Sequence, residues 1–89
     1  MANKTYVGVC VFIDSDGSIR PERIALGNNL YGIINVASVA SIEKTATLDY
    51  TVEIWAGPGQ ARTSHLYMEN VDGRSRWYVM RKERRAKPA

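Results

Sequence analysis

The side chains best suited to nucleophilic and general-base chemistry occur once each in this chain, as Cys10 and His65. Ser64 adjoins His65, but neighbours on a strand point to opposite faces, so the two cannot easily share a proton. Cys10 stands amid Val9, Val11 and Phe12, where a buried, inert thiol is expected. Asp14, Asp16 and Gly17 have the look of a calcium loop. The later ligands and the closing Glu of EF-hand spacing are missing, so the cluster reads as a turn. Gly57-Pro58-Gly59 lacks both the spacing of a phosphate loop and a following helix. One cysteine cannot close an internal disulfide, and a zinc site would have to be pieced together from Cys10, His65 and carboxylates. The expectation is a protein that works by binding rather than catalysis, without metal, cofactor or small-molecule substrate.

Binding chemistry is better represented. Small barrels hold single-stranded nucleic acid by stacking bases on exposed aromatics beside a basic groove. The aromatic side chains to consider are Trp55, Tyr67, Trp77 and Tyr78. In the last strand Arg76, Tyr78 and Met80 share one face, while Trp77, Val79 and Arg81 share the other. Trp77 beside Val79 reads as core, which leaves Tyr78 flanked by Arg76 as the stacking platform. Trp55 falls on the polar face of its strand with Asp49, Thr51 and Glu53, and is expected to be exposed at least in part. Arg62 and Arg74 add charge nearby. The candidate nucleic-acid residues are therefore Trp55, Arg74, Arg76, Tyr78, Arg81, Lys82, Arg84, Arg85 and Lys87.

The basic character is concentrated at one end. Arg81, Lys82, Arg84, Arg85 and Lys87 against Glu83 give residues 81–89 a charge of +4, while residues 1–80 hold seven Lys/Arg and eight Asp/Glu. A neutral body with a basic appendage implies a different partner from a basic fold. The tail reads either as a disordered, solvating end or as an electrostatic clamp on phosphate.

The elements that must position these residues are strands. Tyr6–Ile13 is dense in β-branched and aromatic residues and apolar on both faces, as in a central strand or one wrapped into a barrel. Asp16-Gly17 signals a hairpin turn, followed by a strand from Ile19 to Leu26 in which Pro21 calls for an edge or a strand start. Gly27-Asn28-Asn29 turns the chain into a third strand, Leu30–Val36. Residues 37–46 fit either a helix or a bulged continuation of that strand, and the continuation is favoured over Ala37–Lys44. Leu48–Trp55 alternates cleanly, with Leu48, Tyr50, Val52 and Ile54 on one face. Gly57–Arg62 reads as a loose, mobile loop. Ser64–Glu69, a turn at Asp72-Gly73 and Arg76–Arg81 complete the series.

Six short antiparallel strands in this length give an all-β fold, a small curled sheet or an SH3-like barrel of five to six strands. The expected organisation is one barrel domain over residues 1–80 and a basic tail over 81–89. The run Phe12–Pro21, with Tyr31-Gly32-Ile33 and Val36, Tyr50-Thr51-Val52, Leu66-Tyr67 and Trp77-Tyr78-Val79, resembles a family of short Firmicutes proteins without an assigned activity. Leu26, where that pattern has a tryptophan, and the length of Gly57–Arg62 depart from it. The resemblance spans residues 5–82 and implies a bacterial, all-β domain; it transfers no functional residue.

The apolar stretch Val7–Ile13 is too short for a transmembrane helix and no cleavage-site pattern follows, so no membrane role is expected. Together with the absence of disulfides this makes the cytoplasm the expected compartment. A two-faced first strand needs a second covering surface, either the curl of its own barrel or another subunit. The leading expectation is therefore an adaptor for a protein partner or a homodimer, with nucleic-acid binding through the tail as the alternative.

Overall fold

The computed structural model describes residues 2–82 of the chain. Six strands make up this span, with one short 3-10 turn between the third and fourth: β1 (Ala2–Ile13), β2 (Ile19–Leu26), β3 (Asn29–Ile42), β4 (Thr47–Gly57), β5 (Gln60–Val71) and β6 (Arg74–Lys82). Each pairs antiparallel with its neighbour in sequence, and β1 pairs with β6 to close a barrel. The fold is all-β, as the alternation of β-rich runs and turn signals implies.

The turns are built by local chemistry. Gly17, Gly27, Gly59 and Gly73 all sit at positive φ, where a Cβ would be strained. Asp72 (φ 51°) and Gly73 (φ 76°) between the paired residues Val71 and Arg74 form a two-residue turn with both central residues left-handed, the twist that a hairpin needs. Pro58-Gly59 joins β4 to β5 as tightly, because Gly57 pairs with Gln60. Proline fixes the first central φ and Gly59 supplies the positive second (φ 69°), as in a type II turn. The loose loop expected over Gly57–Arg62 is thus corrected to a two-residue turn, with Gln60–Arg62 already in the strand. Residues 37–42 continue β3, with register shifts after Ile33 and Val36, and a 3-10 turn over Glu43–Thr45 then leads into β4.

The inner face carries the core. Ile24, Tyr50, Val52 and Leu66 are buried there, with Val7, Val9, Ile33, Val36, Leu48, Ile54, Met68, Trp77 and Val79 packed around them. The alternation of β4 therefore points as its sequence implies, and Trp77 is core. Pro21 also turns inward; the register of β1 and β2 shifts between Cys10 and Val11, so proline's missing donor falls at a bulge.

That core is small. Five large hydrophobic side chains are buried among the described residues, nine more are partly buried against the core and thirteen are exposed, so much apolar surface faces solvent. Both ends of β1 illustrate it: Val7 and Val9 pack inward, while Tyr6, Phe12 and Ile13 are exposed. Cys10 lies on the outer face of β1 and is exposed, which corrects the expectation of a buried thiol. Hydrophobic neighbours in sequence did not bury it, since the strand presents both faces and only one has a cover.

Burial raises the Tyr50 phenol above its ordinary 10.0. The folded state then holds that proton more tightly than the unfolded chain, so the stability linked to it is complete below pH 10.0 and is lost as pH rises through the raised value. Urea unfolding at stepped alkaline pH checks this: Tyr50→Phe flattens the loss of stability above pH 10.0 while leaving the neutral value within about 1 kcal/mol of the parent.

Candidate functional site

Barrel closure is uneven, and the unevenness makes a groove. β5 and β6 pair only from Tyr67↔Tyr78 to Val71↔Arg74. Beyond that point the first half of β5 follows β4 and the last residues of β6 follow β1, from Val7↔Trp77 to Ala2↔Lys82. Between the two diverging edges opens a groove of about 970 Å³ that reaches the barrel interior at Ile24, Leu26, Tyr31 and Ile54. Its walls are Ala61–Ser64 of β5 and Val79–Arg81 of β6, with Trp55 at the rim.

Two arginines face into this opening. Arg62 pairs with Ile54, so the two side chains share the inner face. Arg81 follows Trp77 and Val79 at alternate positions and belongs to the same face. No Asp or Glu among the described residues lines the groove. Among the described residues Lys4 is ion-paired with Glu69 and His65 bonds Asp49, and neither arginine takes part in such a contact. An apolar floor, two aromatic side chains (Tyr31 and Trp55) and two convergent cations suit an extended ligand with both apolar and anionic groups.

The outer face holds a second constellation. Tyr6, Tyr78 and Tyr67 lie side by side across β1, β6 and β5, with ring centroids 5.9 Å and 5.1 Å apart, and His65 stacks on Tyr67 at 6.2 Å. Lys4 sits over Tyr78 at 4.7 Å and donates to Glu69 Oε1 at 3.0 Å, while the Tyr6 hydroxyl donates to both Glu69 oxygens at 3.3 Å. The hydrogen bond to Glu69 raises the Lys4 pKa, and burial raises that of Tyr67. Glu69 is buried with its charge matched, so this row is a satisfied polar network that locks β1, β6 and β5 together.

The nominated side chains divide between these places. Trp55 and Arg81 meet at the groove. Tyr78 is on the outer face beside Arg76, as alternation implies, but it is only 8% exposed and its ring is already covered by Tyr6, Tyr67 and Lys4. Arg76 lies over the Tyr6 ring at 3.8 Å, and Arg74 is exposed at the β5–β6 turn. Arg81 and Lys82, counted above with the tail, are the last residues of β6; the side chain of Lys82, together with Arg84, Arg85 and Lys87, lies outside the described residues. Tyr31 is the groove residue that sequence reasoning missed, and Arg62, noted for its charge, was left out of the candidate set. The inward position of Arg62 was legible once Ile54 was placed inside, had the Pro-Gly turn fixed the register of β5.

The catalytic possibilities resolve as geometry. His65 Nδ1 is 2.9 Å from Asp49 Oδ1 on the outer face, whereas Ser64 faces the groove on the inner side. Cys10, on β1, is not brought to either. In the β1–β2 turn, Asp14 accepts from the Ser15 N–H at 2.7 Å, and Asp16 accepts from the Ser18 N–H and hydroxyl at 2.8 and 2.7 Å. Those bonds hold Asp16 below the usual carboxylate pKa and spend both carboxylates on the turn itself. No helix of the described residues is long and apolar enough to cross a membrane.

Comparison with protein-family models, with curated proteins and with solved structures returns no match.

Trp55 at the rim is 55% exposed, whereas Trp77 is packed in the core. The two tryptophans should therefore separate in fluorescence. Trp55→Phe is expected to leave a blue-shifted emission that acrylamide quenches several-fold less than the parent's; an unchanged spectrum and quenching would contradict the placement of Trp55.

Proposed function

We propose that this protein is a non-enzymatic, cytoplasmic binding domain, a small barrel of the SH3-like kind, whose working site is the groove between β5 and β6. Its occupant in this reading is an extended polypeptide segment of a partner protein, apolar at alternate positions and carrying an acidic residue. One observation carries the proposal. Both walls of the groove are strand edges left without a β partner, and two arginines that have no carboxylate partner among the described residues line it above its apolar floor. A segment added along either edge satisfies main-chain N–H and C=O groups, while every second side chain reaches the interior. An acidic side chain meeting Arg62 or Arg81 fixes its register.

A second reading is favoured by the juxtaposition of Trp55, Arg62 and Arg81 with the start of the basic segment. In it the groove takes single-stranded nucleic acid, bases on Trp55 or Tyr31 and phosphates on the arginines and the tail cations Lys82, Arg84, Arg85 and Lys87. The buried state of Tyr78 and the carboxylates Glu69 and Asp49 on the outer face count against an interface on that side. The likeness to the short Firmicutes proteins rests on turn and core residues and adds no preference between the two.

Selection from a random peptide display library, followed by binding of single-stranded oligothymidylate at stepped salt, separates them. The first reading gives enriched acidic peptides with alternating apolar residues, and the double variant Arg62→Glu/Arg81→Glu weakens them about tenfold or more. The second gives a log–log salt slope of about −3.5 if all five cations of residues 81–89 engage, abolished by truncation after Met80. No enrichment and no oligothymidylate binding at low salt would leave the groove without either role.

A further inference from the structure

The several unpaired strand edges of this barrel are not equally defended. An open edge is a template for pairing with another chain, and folded proteins usually guard it with charge, proline or a short length. The edge of β2 that leaves β3 carries Arg20, Pro21 and Glu22, and the free edges of β5 and β6 carry Arg62 and Arg81. β3 is different. Its pairing with β2 ends at Gly32, so residues 33–42 have a strand neighbour on the β4 side alone.

No charged residue occurs anywhere from Ile24 to Ile42, nineteen positions in a chain that is 24% charged. At that average, four or five charges would be expected there. After the shift at Val36 the register with β4 is regular from Ser38↔Thr51 to Ile42↔Thr47, so the edge presents an evenly spaced row of main-chain groups. Ile34, Val39 and Ile42 are exposed along the same strand, Val39 at 51% although it lies on the inner face opposite the buried Tyr50.

We infer that the β3 edge is the interface between two copies of this chain, paired antiparallel about a two-fold axis near Val39. Two arguments select a second copy as the occupant. An uncharged strand is complementary to itself, because the rotation brings no like charges together. β1 also has an uncharged free stretch, Gly8–Ile13, but it is six residues long against ten in β3 and runs directly into the charged turn at Asp14 and Asp16. β3 is the longest undefended edge, and pairing about a two-fold axis closes at two copies and continues the sheet from β4 of one copy to β4 of the other. This interface is separate from the β5–β6 groove and leaves it open.

The test is sedimentation equilibrium of the full chain from low micromolar to submillimolar concentration, with two variants at Ser38. Ser38 is exposed, faces the outer side and is paired with the neutral Thr51, so a charge there is accommodated in a single copy. The parent is expected to approach twice its 10.0 kDa mass. Ser38→Lys and Ser38→Glu each weaken association by about tenfold. An equimolar mixture of the two recovers the parent's association, and circular dichroism of all three agrees. A parent that stays at the single-chain mass overturns the inference. So does association untouched by both charges, or an open-ended series of larger species.

Discussion

The structure depends on one constraint: in this barrel most strands change partners along their length. β1 gives its first half to β6 and its second to β2, β3 gives its first residues to β2 and the rest to β4, and β6 is shared between β5 and β1. Only β4 is paired along most of its length on both sides. Closure by partial ladders lets a short chain form a barrel, but each change of partner leaves half an edge free and splays the neighbours apart. The β5–β6 groove, the free β3 edge and the sparse core all follow from that geometry.

Where the chain closes well, polar chemistry holds it. The β1, β6 and β5 junction is locked on its outer face by Glu69, which accepts from Lys4 and Tyr6, under stacked Tyr67 and Tyr78. On the inner face the same junction packs Val7 against Trp77 and the core around Tyr50 and Leu66. Where it closes badly, the residues left over are of two kinds. Arginines stand at the β5–β6 opening, which keeps that edge soluble while making it receptive to anions. Along β3 they are absent.

Much of the fold was legible in the sequence because strand alternation and turn chemistry are local. The Leu48–Ile54 alternation, the inward Trp77, the Asp72-Gly73 turn and the bulged continuation of β3 each rest on period two or on a required φ. The Pro58-Gly59 turn was legible too, since proline before glycine is a type II signature; flanking Gly57 made the segment look longer than it is. Cys10 was misread because apolar neighbours say a strand is two-faced without saying which face finds cover. The burial of Tyr78 was not legible: the rings that cover it come from β1 and β5, far away in sequence. The groove itself depends on where pairing stops, and no local signal marks that point.

Residue-resolved amide hydrogen exchange along β5 tests this account most directly. Partial closure predicts two regimes in one strand. From Tyr67 to Val71, amides facing both neighbours are protected, while from Gln60 to Leu66 only those facing β4 are, and the alternate amides exchange orders of magnitude faster. Uniform protection along the whole of β5 would mean a continuous β5–β6 ladder, and with it no groove.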